Sequence, residues 1–196
     1  MSFGFPNKLV EGYKELEEAI RKAYDSDVLL FAAASNSGAN LDRAYPARHQ
    51  EVICIHSTDA NGNRSKFSPT AITNDDNFAT VGEAVESAWP EHLSDPKTTD
   101  TCVAYKSGTS FATPIAAGIA AFLLQYSRLH LSGKQAEMLR RSSGMKAVLK
   151  KIARTREGHI NRDGYDYIAL SRCSDNLFGK HEDHIKSSII DALENS

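Results

Sequence analysis

Ser110 lies in the stretch "YKSGTSFATPIAAG", residues 105–118, behind Gly108 and Thr109 and ahead of Pro114 and a run of small residues. A serine at the start of a helix holds its hydroxyl beside backbone N–H groups that no helical carbonyl can reach. That geometry serves two ends, an N-cap or a nucleophile set beside donors that stabilise an oxyanion. Taken alone, Gly-Thr-Ser fits both, and the cap is the plainer account. The stretch is not a nucleophile elbow, because Phe111-Ala112 follows Ser110 where G-x-S-x-G requires its second glycine. A serine nucleophile also needs a base to take its proton, and His49, His56 and His92 are the histidines that precede it. Near the C-terminus, His181-Glu182-Asp183-His184 sets two histidines three apart, which is not the HExxH spacing of a zinc protease and reads as a solvated tail. Cys54, Cys102 and Cys173 are far apart, odd in number and free of any CxxC, so buried free thiols are expected rather than a disulfide framework or zinc knuckle. No metal and no cofactor are expected.

The elements that must position these groups follow from periodicity. Leu9, Tyr13, Leu16, Ile20 and Ala23 recur at three and four residues, which predicts a helix over 9–24 with one buried face. "VLLFAAA" (28–34) is apolar without alternation, as suits a strand buried on both faces of a parallel sheet. Further short strands are expected at 51–57 and 77–82, with residues 90–104 irregular. A helix from Ser110 to about Leu129 follows, with Pro114 tolerated in its first turn, and its alanines and Gly118 demand close packing. Helical periodicity also covers 133–141 and 144–153, with Ser142 and Ser143 as caps between them, and a polar tail from 173 to 196 turns weakly amphipathic, enough for a short helix.

Composition sets the bounds. At 196 residues, 41% hydrophobic and 24% charged, the chain is an ordinary globular domain with a sizeable core. The 23 Lys and Arg are mixed with 25 Asp and Glu, so no basic face argues for nucleic acid. The apolar runs are too short to argue for a membrane span, and the absence of a signal peptide after Met1 favours an intracellular location.

The residues around Ser110 resemble a known pattern. Gly108, Thr109, Ser110, Ala112, Thr113, Pro114, Ala117 and Gly118 fall on the G-T-S-x-A-[ST]-P-x-x-A-G segment of the subtilisin-like serine peptidases, the subtilases. "FAAASNSGAN" (31–40) is similar to the family's A-A-G-N stretch, and residues 45–68 to its Y-P-[AG]-x, V-I-x-V, D-x-x-G and F-S stretch. "FATVGEAVESAWP" (78–90) is similar to the A-P-G region with Val81 in place of proline, and "MSFGF" to the M-S-[LFW]-G strand along which substrates lie.

The resemblance covers residues 1 to about 170 and implies a three-layer α/β fold, a mostly parallel sheet with helices on both faces, lacking the family's N-terminal strands. The partial peptidase domain would span 1–172 and the tail 173–196. It implies Ser110 as nucleophile and the Asn36 side-chain amide, with the Ser110 N–H, as oxyanion hole. Ser2, Phe3 and Gly4 would pair with substrate backbone. Ala32, Ala33, Ala34 and Ser35 would form one wall of the primary specificity pocket beside Gly108, with Ser35 where glycine is usual. Protein or peptide substrates are the implied partners.

The family's triad also uses an aspartate in D-[ST]-G and a histidine in H-G-T, both ahead of the oxyanion asparagine. The chain has no His-Gly dipeptide, and Asp25 and Asp27, before Asn36, sit in "DSD" at a helix end. Feeble activity of the chain alone is therefore expected, with two alternatives beside an ordinary peptidase: a non-catalytic peptide-binding module, or a fragment completed by an N-terminal segment that covers the exposed edge of its first strand.

Overall fold

The computed structural model describes residues 1–6, 11–38, 41–93, 102–154, 162–171, 174 and 176–196. Helix α1 (Tyr13–Asp25) leads to strand β1 (Phe31–Ala33), then β2 (Ile53–Thr58) and β3 (Phe78–Val81). Strands β4 (Val85–Ala88) and β5 (Val103–Lys106) come next, then helices α2 (Thr109–His130), α3 (Gly133–Arg140) and α4 (Ser142–Arg154). Strand β6 (Asp166–Tyr167) and helix α5 (Glu182–Glu194) complete the order.

The main sheet runs β1-β2-β3-β6, and every neighbouring pair in it is parallel. Register puts Phe31 beside Ile53 and Ile55 beside Phe78, so these four side chains share one face. They join Ala112, Ala116, Leu123, Leu149 and Ile168 in one core. Ala32, Ala34, Val52 and Cys54 point the other way and pack with Ile20, Leu16 and Tyr13 of α1 in a second core. A strand with both faces buried has no polar alternation to show, which is why residues 28–34 read as an unbroken apolar run.

Helix α2 packs across β1, β2 and β3. Its buried residues include Ala112, Ala116 and Ala120, whose small side chains let the helix axis come close to the sheet. At 22 residues it has the length and composition of a membrane span, contrary to the reading of short apolar runs; here it lies on the sheet as a core helix. Helix α3 starts from a capping box, Ser132 with Gln135, and Ser142 and Ser143, expected as caps between α3 and α4, are instead the first two residues of α4. Residues 85–88 and 103–106 form an antiparallel hairpin that the sequence did not announce, because both strands are short and mostly exposed. Part of the segment expected to be irregular, 94–101, lies outside the described residues, as do residues 9 and 10 of the predicted first helix and Cys173. Of the other thiols, Cys54 is buried and Cys102 exposed, so burial holds for the first alone.

The segment expected to be a polar tail contributes to the core. Ile185, Ile189 and Leu193 of α5 are buried among Leu139, Met145, Val148 and Leu149. His181 precedes the helix as its N-cap, accepting from Asp183 N–H at 3.5 Å, which gives the His-Glu-Asp-His run a structural role. Among the described residues no group of three metal-ligating side chains gathers. Truncating Leu193, which is 1% exposed, to alanine removes core volume that α3 and α4 cannot refill. Leu193→Ala is expected to cost about 2–5 kcal/mol, read as a lower urea midpoint at unchanged m value.

Candidate active site

The first turn of α2 organises the site. Gly108 precedes the helix, and its N–H donates to Gly82 O at 2.8 Å, tying the turn to the end of β3. Glycine is required at both positions of this contact. A Cβ on Gly82 would stand 2.5 Å from Ser57 Oγ and 2.9 Å from Gly108 O, and one on Gly108 would stand 3.1 Å from Asn36 Nδ2. No side chain of the helix's own caps it, so the capping account of Ser110 fails: Ser110 is the second helical residue.

The cap comes instead from Asn36, 73 residues earlier. Its Oδ1 accepts from Thr109 N–H at 2.8 Å and from Thr109 Oγ1 at 3.1 Å. A backbone N–H can only donate, so these two bonds fix which end of the amide is oxygen. The Nδ2 end is left as a donor against Gly108, one residue from the turn that carries Ser110. Ser110 N–H belongs to the same first turn, where no helical acceptor exists and the helix dipole is positive.

Ser110 Oγ donates to Ser2 O at 3.2 Å, and Ser2 Oγ donates to Ser110 O at 3.0 Å. The second bond has a cause in the sequence. In a regular helix Ser110 O would accept from the N–H of residue 114, but Pro114 has none. The helix begins at Thr109, so Pro114 lies in its second turn rather than its first, and the carbonyl it orphans is taken by Ser2. Ser110, Gly108, Asn36 and Ser2 are thus brought together. Phe3 and Gly4 continue from Ser2, with Phe3 48% exposed. Ala32, Ala33 and Ala34 are buried, and they lead from β1 straight into Ser35 and Asn36.

Ser35 has φ 143°, a region that favours glycine, and its hydroxyl is bonded to Ser37 N–H at 3.1 Å. The position where the family usually carries glycine is therefore strained in this chain.

None of the histidines weighed from the sequence meets Ser110. His49 lies beside Glu17 and Glu51, and His92 is exposed within the short turn Glu91–Leu93. His56 is fully buried on β2, with Nδ1 3.2 Å from Ser68 Oγ and Nε2 3.7 Å from Cys54 Sγ. Burial, helped by the Arg43 charge, pushes its pKa down to about 3, so the ring is neutral. Burial likewise pushes the Cys54 thiol up to about 12, which leaves it inert. Arg43 itself is a buried cation missed at the sequence level. It pairs with Asp75 at 2.7 Å and donates to Asn77 Oδ1 and Asp76 O, pinning the loop that enters β3. Its only sequence signal is a lone arginine, which ordinarily reads as surface.

A doubly covered parallel sheet, with a serine in the first turn of its central helix and an amide donor delivered from the neighbouring strand end, is the architecture of a subtilisin-like α/β domain. The family model for the Subtilase family matches residues 1–170, and the chain belongs to that family. Subtilisin DY of Bacillus licheniformis is 35% identical over 127 residues, covering 63% of this chain and 41% of that protein. Thermitase of Thermoactinomyces vulgaris is 34% identical over 117 residues, covering 60% of this chain and 38% of that protein. The chain thus matches less than half the length of either relative. Among solved structures, the prenylagaramide maturation protease PagA superposes with a TM-score of 0.60 at 23% identity, covering 99% of this chain and 60% of that one. The PatG macrocyclase domain gives 0.64 at 18% identity, covering 100% and 51%.

Two outcomes follow. Ser35→Gly releases the backbone strain and is expected to raise stability by about 1 kcal/mol in urea unfolding. His56 binds a proton in the unfolded chain below about pH 6.5 but in the folded chain only below about 3. Stability should therefore fall as the pH is lowered through that window, and a His56→Gln variant that still folds should show a flatter profile in denaturation at stepped pH.

Proposed function

We propose that this chain carries the nucleophile-bearing part of a serine endopeptidase catalytic domain. Ser110 Oγ attacks the carbonyl carbon of a peptide bond, the C–N bond breaks, the Ser110 proton reaches the leaving amine through a base, and water then hydrolyses the acyl-enzyme. Asn36 Nδ2 and Ser110 N–H hold the oxyanion. Ser2, Phe3 and Gly4 pair with substrate backbone, while Ala32, Ala33, Ala34, Ser35 and Gly108 shape the pocket for the residue at the scissile bond. The observation that carries this reading is the pinning of Asn36 Oδ1 by Thr109, which leaves a side-chain N–H donor next to the serine turn.

The base and its aspartate are assigned to a complementing N-terminal segment with the family's D-[ST]-G and H-G-T motifs, since this chain contains neither. Alone, the chain retains at most the oxyanion and binding contribution, roughly 10³–10⁴ over water when a subtilisin triad is disabled. A second reading, a peptide-binding module without catalysis, is favoured by one contact: the Ser110 hydroxyl is held by the Ser2 carbonyl rather than by a histidine.

The test is active-site labelling with a fluorophosphonate, followed by intact mass. The chain alone should label slowly, and supplying the N-terminal portion of a subtilase catalytic domain should accelerate labelling and confer amide hydrolysis. Ser110→Ala should abolish both, and Asn36→Ala should lower turnover of the completed enzyme by about 10²–10³, the loss known for this amide in subtilisin. Peptide binding with no labelling under any condition would establish the module instead.

A further inference from the structure

The first residues present an unfinished ladder. Met1 O accepts from Ala33 N–H at 3.1 Å, and Phe5 exchanges both backbone bonds with Tyr45 at 2.7 and 2.9 Å. Between these anchored points, the N–H and C=O groups of Ser2, Phe3 and Gly4 make no backbone hydrogen bond among the described residues. All three residues are exposed. A backbone segment with unpaired groups, hydrogen-bonded at both ends, is a template for another strand. One acceptor in it is already in use: Ser2 O takes the Ser110 hydroxyl.

We propose that the Ser110 hydroxyl acts as a stand-in for peptide on this edge, occupying the Ser2 carbonyl until an extended peptide pairs with it and displaces the hydroxyl. Docking of the peptide and release of the nucleophile are then one event. The inference rests on the reading of Ser2–Gly4 as a peptide-pairing edge. The geometry supplies the rest of the device. The bond from Ser2 Oγ to Ser110 O uses neither the hydroxyl of Ser110 nor the carbonyl of Ser2, so it survives displacement. It keeps the freed hydroxyl next to the docked backbone. Pro114 makes this strut available, because it leaves Ser110 O without a helical donor. A hydroxyl that rotates about one bond gives way at little cost, whereas Met1 and Phe5 are tied by backbone bonds to Ala33 and Tyr45.

The experiment measures binding of a fluorescein-labelled, end-blocked, alanine-rich pentapeptide by anisotropy to the whole chain and to its Ser110→Ala variant. Alanine favours the helix, so the variant keeps the turn. Removing the competing hydroxyl should tighten Kd by about three- to tenfold, the worth of one net hydrogen bond. A variant that binds no tighter than the parent overturns the gating and leaves the peptide edge standing. A peptide N-methylated at alternate amides should lose binding to both proteins. If it binds as well as its parent, or if neither protein binds either peptide, the edge does not pair with peptide backbone and both readings fall.

Discussion

The bond from Thr109 N–H to Asn36 Oδ1 is the constraint on which the site depends. It satisfies an N–H at the positive end of α2 that the helix cannot satisfy itself, and in doing so it joins the strand-end loop after β1 to the helix that crosses the sheet. Once the oxygen of Asn36 is committed, its nitrogen faces Gly108, where a Cβ would stand 3.1 Å away and crowd it. Gly82 repeats the arrangement from the third side, so that two glycines and one amide let three backbone segments meet within contact distance. The bonds to Asn36 and Gly82 position the serine turn without using the serine's own side chain.

Beneath the site, rigidity comes from a sheet with no wet face. Side chains of β1 and β2 alternate between two cores, one built with α2, α3, α4 and α5 and the other with α1. Several of the polar groups admitted into this interior are satisfied in small sets. Ser57 Oγ meets Ser65 Oγ at 2.8 Å, and Ser68 Oγ serves both His56 and Ser57 N–H. Tyr165 packs edge-on against the His56 ring and donates to Pro69 O at 2.5 Å. Such sets hold the segment 65–69 against β2, while burial and the Arg43 charge keep the histidine uncharged, which suits a structural ring and disqualifies it as a base.

Much of the fold was legible because it rests on local pattern. The apolar run at 28–34 marks a sheet buried twice, the spacing in α1 marks one buried face, and the clustered alanines of α2 mark close approach to the sheet. Pairing of Ser110 with Asn36 was legible only through resemblance, since nothing in either segment taken alone names the other. What escaped were features fixed at long range or by small exposed elements. The β4–β5 hairpin carries little burial to generate alternation. Arg43 looks like a surface cation until Asp75 and Asn77 close around it. The residue that caps α2, Asn36, lies on another element, and the tail expected to form at most a short helix packs Ile185, Ile189 and Leu193 into the core.

The contacts that define the site span the chain: Ser2 to Ser110 across 108 residues and Asn36 to Thr109 across 73. Each closes a large loop, and the entropy of closing it must be lost before either bond returns anything. No fragment of the chain can therefore hold the serine turn in place by local propensity, and the helix can form well before its first turn is seated. The turn therefore acquires these hydrogen bonds only once distant parts of the chain have met. Protection of the Thr109 amide against hydrogen exchange is accordingly a reporter of completed topology rather than of helix formation.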